Sequence, residues 1–184
     1  MQRAIAILSC ILAIGFAFPA PADQNDPRLS ALFTRLHETD SRLEAQSIEQ
    51  EIWVIWFTSP NDEVNKLMEL GSTAMANQDF KTAIEDFTKI TEIEPKFAEG
   101  WNRRATARFY AGDFEGSRED VAKTLALEPR HFGALSGLGL INAAEDKGEA
   151  AIKAWEDALK VNPNMPSVEQ NIEDMKEKLA KDNI

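Results

Sequence analysis

Three prolines at a constant spacing place the strongest constraint on how this chain folds. Pro95, Pro129 and Pro163 are separated by 34 residues, and each ends an apolar segment: TEIEP, LALEP and LKVNP. Proline lacks the backbone N–H that continues a helix, and it biases the preceding residue away from helical geometry. The prolines therefore predict three equivalent helix ends within a repeated unit.

The same spacing organises the side chains between the prolines. Small residues recur at Gly71, Ala105 and Gly139 and again at Ala83, Ser117 and Ala151, whereas large apolar residues recur at Leu67, Trp101 and Leu135 and at Phe87, Val121 and Trp155. Small side chains allow two helices to approach closely, and large ones fill the space between neighbours. The sequences NQDF and AGDF also coincide, which predicts equivalent turns.

This pattern resembles the tetratricopeptide repeat (TPR), a helical hairpin of 34 residues. The resemblance covers three units, 64–97, 98–131 and 132–165, and it implies an all-α fold of antiparallel hairpins stacked as a right-handed superhelix. The third unit departs from the pattern at Gly148, which stands where Phe80 and Phe114 stand in the other units. We therefore expect its hairpin turn to be less tight.

Less regular segments flank the repeats on both sides. Residues 23–63 predict a degenerate helical hairpin, with one helix beginning at Asp26–Pro27 and a second from Ser41 to about Phe57. Pro60 misses the repeat's proline position by one residue. After residue 165, one apolar stripe at helical spacing predicts a capping helix within 166–184. Its members are Val168, Ile172, Met175 and Leu179.

The second flanking helix contains EIWVIWF, which is apolar on almost all faces. Such a helix requires cover. Burial between the first helix and the first repeat is one interpretation. The alternative is a secondary interface at Trp53, Trp56 and Phe57 that docks a partner or a second copy of the chain.

Residues 1–22 have the pattern of a secretory signal peptide. One basic residue, Arg3, precedes the apolar run AIAILSCILAIGFAF, and cleavage after Ala22 or Ala20 satisfies the preference for small residues. We expect export to the bacterial periplasm, with a retained membrane anchor as the alternative. Cleavage would remove Cys10, the sole cysteine, and with it any disulfide or thiol chemistry.

Composition argues against several functions. The net charge of -11 disfavours nucleic acid. No converging catalytic or metal-ligating set is visible, so we predict a non-enzymatic protein without cofactor, metal or small-molecule substrate. His37 and His131 are interpreted as surface or packing residues. The glycine-rich segment Gly133–Gly139 lies where the repeat requires a helix, and we interpret it as close helix packing rather than as a phosphate loop.

The resemblance to TPR proteins implies a concave groove that binds a peptide or a partner helix. The predicted groove residues are Asn65, Met68, Ser72, Asn102, Arg103, Thr106, Phe109, Tyr110, Ser136 and Leu140. The basic clamp with which some family members grip acidic chaperone tails is absent, because Met68, Ser72, Gly133 and Gly137 occupy its positions. We also expect Arg104 to pair with Asp86 on the preceding helix.

The sequence therefore predicts a protein-binding adaptor or assembly factor that resembles small exported TPR proteins of Gram-negative bacteria. The alternative is an envelope spacer that assembles through the Trp-rich helix.

Overall fold

The structure, a computed structural model, describes residues 23–182, and the residues it describes form helices and no strands. The signal-peptide assignment lies outside this range. The helices are α1 (Arg28–Glu38), α2 (Arg42–Phe57), α3 (Asp62–Ala76), α4 (Phe80–Ile93), α5 (Ala98–Tyr110), α6 (Phe114–Leu127), α7 (Phe132–Ala144), α8 (Gly148–Val161) and α9 (Pro166–Asp182).

Three hairpins, α3–α4, α5–α6 and α7–α8, stack in chain order, and we call them together the stack. Each hairpin packs on the next, since α4 lies along α5 and α6 lies along α7. Helix α9 covers the end of the stack, where Val168 and Ile172 pack against Ala151 and Trp155. The predicted all-α repeat fold with its capping helix is confirmed.

The small and large positions of the repeat meet inside each hairpin. A methyl group added to Gly71 would lie 2.5 Å from Cε1 of Phe87. One added to Gly139 would overlap the indole ring of Trp155. Because such distances exclude a side chain, the small residue on the first helix is what lets the large residue on the second helix pack.

The three hairpin turns close with the same backbone hydrogen bond. The amide N–H donors are Asp79, Asp113 and Lys147, and they donate to the carbonyls of Ala74, Arg108 and Asn142 at 2.9, 2.9 and 2.8 Å. The third turn was expected to be looser and is as tight as the others. Gly148 instead serves the cap, since a methyl group there would lie 2.9 Å from Cδ2 of Leu179 on α9.

Candidate binding groove

Residues 23–60 comprise the hairpin α1–α2 and the short segments on either side of it. This part of the chain, which we call the strap, lies across the ends of the repeats rather than continuing the stack. Gln24, just before α1, donates to the carbonyl of Lys96 (2.6 Å) and accepts from the amide of Ala98 (3.1 Å). Further along, the guanidinium of Arg130 lies 4.5 Å from the centre of the Phe33 ring. The path from α1 thus leads from one repeat junction to the next.

Helix α2 returns along the same row of junctions. Trp56 stacks on His131, with ring centres 4.1 Å apart and planes 10° from parallel. At the two ends of this path, Asn162 donates to Glu49, and the hydroxyl of Ser59 donates to Glu94 (2.5 Å). The strap therefore touches the junction after each of the three repeats.

The aromatic face of α2 is buried against a different neighbour from the one expected. Trp56 is 1% exposed and lies, with Trp53, against Phe132 at the start of α7. The predicted burial between α1 and the first repeat is confirmed only in part: Ile48 and Ile52 pack with α1, and Phe57 packs against the core of the first repeat, but the two tryptophans lie against α7. A helix apolar on most faces needs cover on two sides, and α1 together with the start of α7 supplies it.

A buried polar network lies directly beneath the strap. The ring of His131 accepts the amide of Ala134 at Nδ1 and bonds Glu99 through Nε2 at 2.9 Å. Burial raises the pKa of the Glu99 carboxyl, but the hydrogen bond to His131 and the charge of Arg103 outweigh burial, so this pKa lies below its ordinary value. The sequence analysis missed Glu99, which joins α5 to His131 beneath the strap.

This network engages two of the predicted groove residues. The side-chain amide of Asn102 donates to Glu99 at 2.9 Å, and Nε of Arg103 donates to the same carboxylate at 2.7 Å. The guanidinium of Arg103 also lies 3.9 Å from the centre of the Phe57 ring on the strap. Arg103 therefore links α5 to the strap, whereas the hydrogen bond of Asn102 lies within α5.

The predicted residues of the first repeat are also taken up within the protein. Asn65 accepts from the amide of Ser59 (2.9 Å) and donates to its carbonyl (2.8 Å), which fixes the last residues of the strap to the stack. Met68 is buried, and Ser72 is half-buried. These three residues do not line the cavities described next.

The remaining predicted residues meet between α5 and α7, in a space that we call the open groove. A cavity of 70 Å³ there is lined by five predicted groove residues, Asn102, Thr106, Phe109, Tyr110 and Leu140. Thr106 and Leu140 also line an adjoining cavity of 410 Å³, together with Ser136. Gly133 and Gly137, which the sequence analysis placed on a packing helix, contribute to both cavities.

Exposed apolar side chains border the open groove, and its floor is bare at Gly137. Tyr110 is 59% exposed and Leu140 37% exposed, and Phe109 packs edge-on to Tyr110 with ring centres 5.5 Å apart. A methyl group on Gly137 would have no neighbouring atom within 4 Å. The groove can therefore receive an apolar side chain at this position.

Arg104 stands at the back of α5, away from this surface, and its partner differs from the predicted one. Its Nη2 lies 2.8 Å from Oδ1 of Asp120 on α6, while Asp86 pairs with Lys89. The guanidinium also donates to Thr88 and Thr91 on α4. Arg104 therefore contacts the preceding helix as predicted, but through the hydroxyl groups of Thr88 and Thr91. The negative charge that it pairs with is Asp120 on α6.

No group of three or more His, Cys, Asp or Glu side chains in residues 23–181 is arranged to hold a metal ion. None of the helices between residues 28 and 182 combines the length and the apolar content needed to cross a membrane.

Comparisons with known proteins agree with the repeat architecture. A family model described as tetratricopeptide repeat matches residues 102–166. A TPR repeat-containing protein of Rhizobium etli is 31% identical to this chain over 97% of both proteins. A second curated relative is longer: the chain spans 37% of the Saccharomyces cerevisiae small glutamine-rich tetratricopeptide repeat-containing protein 2, with 25% identity over 70% of the chain.

Solved structures show the same fold over about two thirds of the chain. The Sgt2 TPR domain from Aspergillus fumigatus has a TM-score of 0.64 and 27% identity, covering 67% of this chain and 83% of that one. The first TPR domain of Spaghetti (RPAP3), solved with the HSP90 peptide SRMEEVD, has a TM-score of 0.61 and 25% identity, covering 64% and 94%. Since the similarity to the Rhizobium protein extends along nearly its whole length, this chain belongs to the tetratricopeptide-repeat family.

Proposed function

We propose that this chain is an exported adaptor that holds an apolar segment of another protein in the open groove. The observation that carries the proposal is the bare floor at Gly137, flanked by the exposed side chains of Tyr110 and Leu140. Exposed apolar side chains around a vacant concave surface are typical of a protein-binding site.

The nature of the groove lining supports a ligand different from the peptide in the RPAP3 structure. That peptide, SRMEEVD, is acidic. No lysine or arginine lines the two cavities of the open groove. An acidic peptide would therefore find no countercharge there, whereas an apolar side chain would be removed from water.

The alternative function, a spacer that assembles through the Trp-rich helix, finds less support. Trp53 and Trp56 pack inside the chain against Phe132, and Phe57 lies under Arg103. An interface at these rings would require the strap to leave the stack.

Site-directed crosslinking in cells tests the adaptor. A photoreactive residue replaces Leu140 in the groove, and a matched control replaces Leu43, which is 80% exposed on the strap. We expect a defined protein to be captured from position 140 and not from position 43. Gly137→Leu places a side chain on the floor, where an added Cβ has no neighbour within 4 Å, and it should abolish that capture. Equal capture from both positions, or capture unaffected by Gly137→Leu, would overturn the groove assignment.

Export is tested separately by the mass of the protein recovered from cells. The sequence pattern of residues 1–22 predicts a mature N-terminus at Asp23 or Pro21 and recovery in the periplasmic fraction. An intact Met1 terminus in the cytoplasmic fraction would contradict export and leave the groove assignment untouched.

A further inference from the structure

A single carboxylate stands on the wall of the open groove. Glu49 lies on the strap one helical turn before Trp53, and both side chains line the cavity whose floor contains Gly137. Asn162 donates one hydrogen bond to the Glu49 carboxylate. Asp and Glu side chains are otherwise absent from the lining of both cavities, as are lysine and arginine.

Within the described residues, Glu49 has no cation to pair with. The two arginines of the stack that contact strap rings have other partners: Arg103 pairs with Glu99 and Arg130 pairs with Glu128. Burial accordingly raises the pKa of the Glu49 carboxyl above its ordinary value, and the hydrogen bond from Asn162 offsets only part of this effect. A half-buried carboxylate without a countercharge is an arrangement that a positively charged ligand would relieve.

The repeat period shows that this position is unusual. Residue 49 falls in the column of Ala83, Ser117 and Ala151, which are all buried inside their own hairpins. A glutamate there would be excluded from an ordinary repeat by its volume and charge. Because the strap lies across the stack, the side chain at this position faces the groove instead.

We propose that the partner of this groove presents a lysine or arginine to Glu49 next to an apolar side chain that lies over Gly137. The ligand class is thus a basic, apolar peptide segment. This inference rests on the proposed function of the open groove and adds the charge of its ligand.

Two features of the molecule support a cationic ligand. Trp53 lines the same cavity as Glu49, so a lysine or arginine bound there would lie near both a carboxylate and an aromatic ring. The net charge of -11 also attracts basic segments over longer distances at low salt. The second effect is general, and the experiment must separate it from the first.

The test uses the purified protein and an array of 15-residue peptides of varied composition. Wild type should retain peptides that combine Leu or Phe with Lys or Arg, and replacing the basic residue of a retained peptide by Gln should weaken binding roughly five- to tenfold at low salt. Glu49→Gln keeps an oxygen that accepts from Asn162 and should abolish this preference. Glu51→Gln changes the net charge equally but faces away from the groove, and it should keep the preference.

Each outcome decides one of the two proposals. If Glu49→Gln retains the preference for basic peptides, or if wild type shows no such preference, the proposal of a basic ligand is wrong. The proposal that the open groove binds a peptide is then unaffected. If no peptide binds wild type, or Gly137→Leu binds the same peptides equally well, the groove itself is wrong. Loss of the preference in Glu51→Gln as well would assign it to the net charge of the chain and overturn the role of Glu49.

Discussion

The strap and the stack are both built from helical hairpins, but they bury their apolar faces in different ways. In the stack, each hairpin contacts only its neighbours, and small residues such as Gly71 meet large ones such as Phe87 at every 34-residue interval. Repeat arrays of this kind fold as a sum of local units. The strap contacts residues from all three repeats, at Glu94, His131 and Asn162. It therefore adds a direct link between repeats that the stack alone couples only through their neighbours.

The largest expected effect comes from removing the aromatic contact between strap and stack. Trp56→Ala deletes a fully buried ring that lies on His131 and Phe132, and it should lower the free energy of unfolding by about 3–5 kcal/mol in urea titration. Because the coupling is weakened, the single transition expected of wild type should broaden or divide. Val54→Ala, on the exposed side of the same helix, should do neither. An equally sharp transition in Trp56→Ala would refute the coupling.

A charge removed inside the stack should destabilise the protein without uncoupling its parts. Asp120 is 2% exposed and faces the guanidinium groups of Arg104 and Arg108 at 2.8 and 3.1 Å. Asp120→Asn leaves both cations without their buried countercharge and should cost about 3 kcal/mol. The transition measured by urea titration should move to lower denaturant but stay single. Glu173→Gln, at an exposed ion pair on α9, serves as the control and should change nothing measurable.

Replacing each of two glycines of the stack by alanine should change the stability of the protein in opposite directions. Gly71→Ala places a methyl group against Phe87 and should destabilise the protein by about 1–3 kcal/mol. Gly137→Ala meets no atom and removes the helix penalty of glycine, so it should stabilise by about 0.5–1 kcal/mol. Thermal unfolding of the two variants checks this. If Gly137→Ala destabilised the protein, the floor of the groove would be occupied by the chain itself.

The sequence was sufficient to predict the helices and packing of the stack, because the contacts of the stack repeat every 34 residues. Pro95, Pro129 and Pro163 mark equivalent ends, and the spacing brings Gly139 and Trp155 together as it brings Gly71 and Phe87. Each contact of the strap occurs only once and joins residues as distant in sequence as Trp56 and His131. A repeat period therefore cannot predict these contacts. Propensity and pattern describe local structure, whereas such single long-range contacts depend on the whole fold.

Two signals for the site were nevertheless present in the sequence. Glu99 falls in the same column as Asn65 and Gly133, so it shares an inward-facing position with a predicted groove residue. Glu49 falls in a column of small buried residues, which indicates that α2 does not pack as the second helix of a repeat. Both Glu99 and Glu49 are charged residues at positions where a regular repeat packs. Each lies where the strap, rather than another repeat, contacts the stack.

The smallest effect concerns Glu49, where the strap forms the wall of the groove. Burial raises the pKa of this carboxyl above its value in the unfolded chain, and such a group contributes stability while protonated and loses it as pH rises through the folded pKa. Glu49→Gln should therefore raise Tm slightly at pH 7, and the two proteins should converge below about pH 4, where glutamates are protonated. Glu51→Gln should match wild type at both pH values. A lower Tm for Glu49→Gln at pH 7 would mean that the strap already stabilises the charge, so that a bound cation would gain little there.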